Sequence, residues 1–281
     1  MNMLELKEFL HTIKSNNFHI DASFNKSELT SALLNHLGVS DPVLRDDLIY
    51  TCFSHMITNN FYTTEELSHI LDTCLDNNHL FYGIGKTDHD SAFTRSFSSL
   101  IIAAVLNVNV QENFLTYNHV KRVSELLLKY LYMEQDVRGL VNEQGWAHSI
   151  AHVADALDEL IKQPSLSISD YKNIFSAITS KMCFNQDYFH FEEDERMVIP
   201  IVEMLRRGLD EHIVNSRINE ITTDLNRNLF VDDPQLFICR SNFKQFLRSL
   251  FFHLQFKNQN LELKREMEQA LNQMSQLYYD V

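Results

Sequence analysis

A chain of 281 residues can bury the core of one large domain or two ordinary ones. Its residues are 44% hydrophobic, but with 6 Gly and 4 Pro it lacks the punctuation of turn-rich β folds and suits long helices with short connections. The formal net charge of -14, from 38 acidic and 24 basic residues, opposes long-range attraction to nucleic acid or an anionic membrane, so neither is expected as a partner.

Cys52, Cys74, Cys183 and Cys239 form no CxxC pair, the N-terminal "MNMLELKEFLHTIKS" does not read as a signal peptide, and the apolar run "LIIAAVL" at 100–106 is too short to span a bilayer. A cytoplasmic protein with reduced thiols is expected.

Taken in chain order, residues 1–40 read as N-terminal cap helices. Asp41-Pro42 then offers a side-chain cap followed by proline at a first helical position, opening a helix through "VLRDDLIYTCFSHMI". Thr63 and Glu66 stand three apart as a capping box before "LSHILDTCL". The same order, a longer apolar helix and then an amphipathic one, recurs in "FTRSFSSLIIAAVL" with "NHVKRVSELLLKYL" and in "GWAHSIAHVADALDELI" with "SDYKNIFSAITSKM". It recurs again in "EDERMVIPIVEMLRRG" with "EHIVNSRINEITTDL" and in "NFKQFLRSLFFHLQF" with "LELKREMEQALNQM".

Aligning Arg45, Arg95, His148, Arg196 and Lys244 gives intervals of 50, 53, 48 and 48 residues. The expected fold is therefore all-α: a HEAT-like α-solenoid of stacked helical hairpins, one domain over 1–281 with about five hairpins over 41–281. A non-repetitive helical bundle is the competing arrangement.

The most pointed local signal is "GWAHSIAHVAD". At helical spacing His148, His152, Asp155 and Glu159 form one stripe, while Trp146, Ile150, Val153, Leu157 and Leu160 gather opposite, which predicts a buried Trp146. Two imidazoles one turn apart can share a metal, and a carboxylate can complete the site or orient an imidazole, so His148, His152 and Asp155 are candidate metal ligands and candidate catalytic residues. A bare H-x3-H more often reads as a solvated polar face, and no HExxH supplies a built-in base. Ala147, Ala151 and Ala154 flank the stripe and permit a close approach.

Upstream, Asp136, Arg138 and Gly139 stand in the expected entry loop, either as the rim of a pocket or as a surface turn in which Gly139 supplies an unusual backbone angle. Arg95 sits in a helix apolar almost all round, so burial would oblige an ion pair, with Asp46, Asp136 and Glu193 as candidate partners. The acidic run Glu192 to Glu195, beside Arg196, reads mainly as helix capping and solvation, with Glu193 or Arg196 pointing into a neighbouring groove as the alternative. "GIGKT" at 83–87 lacks the first glycine of a phosphate-binding loop, where Leu80 stands, and no G-x-S-x-G turn presents a nucleophilic serine.

The set "DPVLRDD", "FTRSFSSLI", "DVRG", "GWAHSIAHVADALDEL" and "EDERM" resembles the bacterial domain of unknown function 2785 family, from about Asp41 to Arg207. The resemblance implies a soluble, helical, HEAT-like protein with no assigned activity. Its characteristic residues stand here as Arg45, Asp46, Arg95, Ser96, Arg138, Gly139, Trp146, His148, His152, Asp155 and Arg196.

The leading expectation is a binding protein whose polar Arg/His/Asp pocket, from Arg45, Asp46, Arg95, Asp136, Arg138, Trp146, His148, His152 and Arg196, takes a peptide, a protein segment or an anionic small molecule. A hydrolase using His148 or His152 with a nearby Asp is the second reading. Purely structural ties are the third. No cofactor is expected beyond a divalent metal that the histidine pair would accommodate.

Overall fold

The computed structural model describes residues 1–20, 24–227, 232–257 and 260–279. Its described elements are almost all helical, and the chain divides into two compact units, Met1–Ser165 and Leu166–Val281.

The first unit opens with α1 (Met3–Ser15), whose start is held by an Asn2/Glu5 capping box, and α2 (Lys26–Asn35). Asp41 caps the next segment as expected, its Oδ1 accepting from the Val43 and Leu44 amides at 3.0 and 3.2 Å. The turns that follow are not ordinary α-helix. Val43–Tyr50 is wound as a π-helix and runs without a break into α3 (Thr51–Thr58). Wider π turns recur where side chains are redirected for a task, and this one carries Arg45 and Asp46.

The Thr63/Glu66 capping box opens α4 (Thr64–Cys74) as the spacing predicts. After it come α5 (Ser91–Glu112) and α6 (Tyr117–Met133). By length and composition α5 could cross a bilayer, yet 83% of its most apolar window is buried inside the protein, so it serves as the core helix. It packs against α3, α4 and α7 (Ser149–Ile161).

The α5–α7 contact is tied by polar groups at both ends. At one end Ser96 of α5 reaches the Ala147 carbonyl and the His152 ring. At the other, Gln163 accepts from Asn109 Nδ2 at 2.6 Å and donates to the Leu106 carbonyl at 2.9 Å. Ala147, Ala151 and Ala154 are all buried, so these small residues do not line an open approach to the histidines.

Gly38 shows how little room remains. A Cβ there would lie 2.6 Å from both the backbone N and Cα of Thr94. We expect Gly38→Ala to cost about 1–3 kcal/mol through overpacking against a backbone that cannot yield, measured by urea unfolding. An unchanged midpoint would mean that the α2–α5 approach is looser than described.

Between α6 and α7 the chain departs from expectation. Leu140–Val141 (β1) pairs antiparallel with Gly145–Trp146 (β2), Leu140 opposite Trp146 and Val141 opposite Gly145. The expected helix over "GWAH" is absent because the Ala147 and His148 amides donate to the Gly139 and Arg138 carbonyls, at 2.8 and 3.0 Å. The extended backbone ends only at His148, left-handed at φ 44°, after which α7 begins. Trp146 therefore lies outside the helix and is 40% exposed, correcting the expected burial. The unusual backbone angle belongs to Gly145 (φ 77°), not to Gly139.

The second unit contains α8 (Ile168–Met182), α9 (Glu193–Arg206), α10 (Glu211–Arg227), α11 (Pro234–Phe256) and α12 (Leu261–Tyr279). Here α11 packs on α8, α9 and α12, and α10 packs on α8 and α12. The acidic start of α9 is less solvated than its composition suggests, since Glu193 and Asp194 are buried. Asp194 accepts from Ser249 Oγ at 2.5 Å and from Gln245 at 3.1 Å, binding α9 to α11. The buried Asn242 satisfies the 184–189 loop, donating to the Phe184 and Asp187 carbonyls and accepting from the Phe189 amide.

Candidate functional site

The sequence-flagged residues of the first unit separate into a buried scaffold and a surface that it holds. Arg45 is fully buried. Its Nη1 donates to the Val39 carbonyl at 2.9 Å, its Nη2 to the Gln144 carbonyl at 2.6 Å, and its Nε lies 2.8 Å from Asp46 Oδ1. Its Cζ sits 4.1 Å from the Phe93 ring centroid and 4.9 Å from that of Phe97, a desolvated cation–π arrangement. Burial lowers the Arg45 pKa and raises that of Asp46, each moderated by the other's charge. The Gln144 contact fixes the β1–β2 turn. At Gly145 a Cβ would come within 2.8 Å of Pro42 and 3.1 Å of Arg45 Nη2, so the turn rests directly on the guanidinium.

Arg95 is equally buried, but its partner is Glu134, and none of Asp46, Asp136 or Glu193. Nε and Nη2 engage both carboxylate oxygens at 2.6 and 2.8 Å, while Nη1 reaches Ser91 Oγ and the Tyr82 and Gly83 carbonyls. Burial alone would lower the Arg95 pKa; the hydrogen bonds and charge of Glu134 outweigh it and raise it. Glu134 Oε1 also accepts from the Gln135 and Asp136 amides. Sequence reasoning missed this residue. Its signal was a carboxylate at the C-terminal end of α6, where the helix dipole disfavours negative charge unless a cation compensates.

Arg138 grips the buried Asp136 with Nε and Nη2 at 2.8 and 2.7 Å and donates to the His89 carbonyl at 3.1 Å. The Asp136 carbonyl in turn accepts from Ser149 Oγ at the start of α7. Three arginines expected to face a ligand thus make internal ties. Arg196 lies half-buried on α9 of the second unit.

What these ties present is an aromatic and imidazole strip. Trp146 stacks on His148 at 4.3 Å, His148 meets His152 edge-on at 5.7 Å, His152 meets Phe97 at 5.3 Å, and Phe97 meets Tyr50 at 6.0 Å. Ser96 has one hydroxyl proton, which the Ala147 carbonyl takes, so His152 Nδ1 at 2.7 Å is the donor to Ser96 Oγ.

One turn beyond His152 the strip opens into a groove of about 310 Å3 between α3, α5 and α7. Leu100, Ala103 and Ala104 of α5 line it, with Asp155, Asp158 and Glu159 along the α7 side. Lys162 contacts Asp158 and Glu159 at 2.8 Å each, leaving the α7 rim net negative. Asp155 and Glu159 thus stand on α7 after His152, whereas His148, predicted on the same helical stripe, precedes the helix in a left-handed conformation. The opposite wall, Tyr50, Ser54 and Thr58, carried no sequence signal. Among the described residues no group of three or more His, Cys, Asp or Glu side chains converges as a metal site.

Comparison with family models gives a match over residues 80–252, more than half of the chain, to the family described as "Protein of unknown function (DUF2785)". The chain belongs to the DUF2785 family. The DUF2785 match takes in Arg95, Ser96, Glu134, Arg138 and the Trp146–Asp155 segment. It starts later than the resemblance read from sequence, omitting Arg45 and Asp46, and runs on past Arg207. Comparisons with curated proteins and with solved structures give no match.

Proposed function

We propose that the first unit is a binding module whose α3–α5–α7 groove takes a basic segment of a peptide or protein, with Trp146 and His148 gripping its flanking residue. The observation carrying this reading is the acidic groove itself, Asp155, Asp158 and Glu159 over an apolar floor, continuous in chain and in ring contacts with a half-exposed tryptophan. An anionic small molecule fits less well, because Arg45, Arg95 and Arg138 already serve carbonyls and carboxylates of the protein.

A HEAT-like stacking of hairpins belongs to the same reading. It is supported by alternate helices packing side by side, α3 with α5, α5 with α7, α9 with α11 and α10 with α12. Such stacks commonly use one helical layer as a binding surface. A hydrolase would instead need one of the histidines as its base, with a nucleophile or metal beside it.

Fluorescence polarisation of a labelled lysine–tyrosine peptide against the full chain tests the proposal. We expect saturable binding that weakens with salt and falls about tenfold in Asp155→Asn, a near-isosteric change at a half-buried position that should keep the parent far-ultraviolet spectrum. His148→Ala/His152→Ala should also lose binding. Equal affinity for a glutamate–tyrosine peptide would overturn the proposal.

A further inference from the structure

The second unit bears a face unlike the rest of this acidic chain. Along α11, Arg240, Lys244 and Arg248 follow at four-residue spacing, placing three cations in one row over about 12 Å of helix. Like charges at that spacing repel. Burial, then the neighbouring Arg248 and Arg240, lower the Lys244 pKa. Among the described residues no ion pair engages any of the three; Arg240 and Lys244 instead lie over the Phe237 and Tyr278 rings at 5.8 and 5.5 Å.

Beside this row lies a cavity of about 620 Å3 lined from α11 and α12, where Arg248 and Arg265 stand with Phe251, Phe252 and Leu271, and Glu268 supplies the carboxylate. Phe252 is 51% exposed, and Phe256, one turn on and stacked against it at 6.0 Å, is 81% exposed. Exposed rings bordered by uncompensated cations are the mark of a surface awaiting a partner.

We infer that this face docks an acidic amphipathic helix of a partner protein. Carboxylates four residues apart on that helix meet Arg240, Lys244 and Arg248, and an apolar side chain enters the cavity. The shape selects among polyanions. A concave site accepts a protruding side chain, whereas a lipid surface offers none. The cationic row spans only two helical turns, too short to track a nucleic-acid strand against a net charge of -14.

The test uses a fluorescein-labelled synthetic helix of leucine and glutamate, glutamates four apart, its glutamine counterpart, phosphatidylserine vesicles and an oligothymidylate, each with the full chain. Binding of the glutamate helix should weaken with salt and fall about tenfold in the glutamine counterpart and in Lys244→Glu/Arg248→Glu, since opposite charge across an interface sets such recognition. Phe252→Ala should weaken it without changing its salt dependence, and both variants should keep the parent far-ultraviolet spectrum. The inference is overturned by equal binding of the glutamine counterpart, by tighter binding of vesicles or oligothymidylate, or by folded variants that bind as the parent does.

Discussion

Arg95→Met should lower the thermal midpoint by on the order of 10 °C. Removing one partner of a buried ion pair costs about 3–5 kcal/mol because the other charge is left without compensation, and a domain of this size loses roughly 2–4 °C per kcal/mol. Here the stranded group is Glu134, fully buried and reached by two backbone amides that cannot neutralise it. The Tyr82 and Gly83 carbonyls lose their donor at the same time, so the 82–83 loop, the start of α5 and the end of α6 are all loosened. Glu134→Leu should cost a comparable amount, and the double variant less than the sum of the two, because neighbouring sites that share one interaction do not add. Urea unfolding of all three checks this, and strictly additive effects would remove the pair from its place as the central tie of the first unit.

The structure shows why this tie could not be found in advance while its obligation could. A helix apolar on every side tells a reader that Arg95 is buried and must be paired. It cannot say that the partner lies 39 positions on at the end of α6, since that adjacency is created only when the loop after α6 turns back over the first turn of α5. Thr63 with Glu66 and Asp41 before Pro42 were legible because a cap is complete within four residues.

The opening of α7 was misread for the opposite reason. Trp146 falls at a helical period from Ile150 and Val153, so periodicity alone extends the helix backward. What stops it is a pair of hydrogen bonds to Arg138 and Gly139, which no pattern of side chains reports. Within the helix proper the spacing holds for Asp155 and Glu159, which line one groove, because a four-residue interval is enough to define a helical edge. The groove they border needs a second wall from about a hundred residues earlier, and that wall consists of Tyr50, Ser54 and Thr58, types that attract no attention in a sequence.

Arg45→Lys should disable the same site without touching any residue that faces the groove. Lysine keeps the charge, but it has no planar fork with which to reach the Val39 and Gln144 carbonyls together while lying flat between Phe93 and Phe97. Each carbonyl left without a donor costs about 1–3 kcal/mol, so global stability should drop by several kcal/mol. The sharper consequence is local. The Gln144 contact seats the turn that orients Trp146 and, through the following residues, His148, so freeing it should let the hairpin open well before the unit unfolds. Exchange of the Ala147 and His148 amides should accelerate far more than that of the α5 interior, and acrylamide quenching of the single tryptophan should rise. Binding of the lysine–tyrosine peptide should weaken in parallel with the quenching change. If exchange at those two amides and tryptophan quenching both stay at parent levels, the guanidinium is not what holds the platform, and the buried cation would act only on the stability of the helices around it.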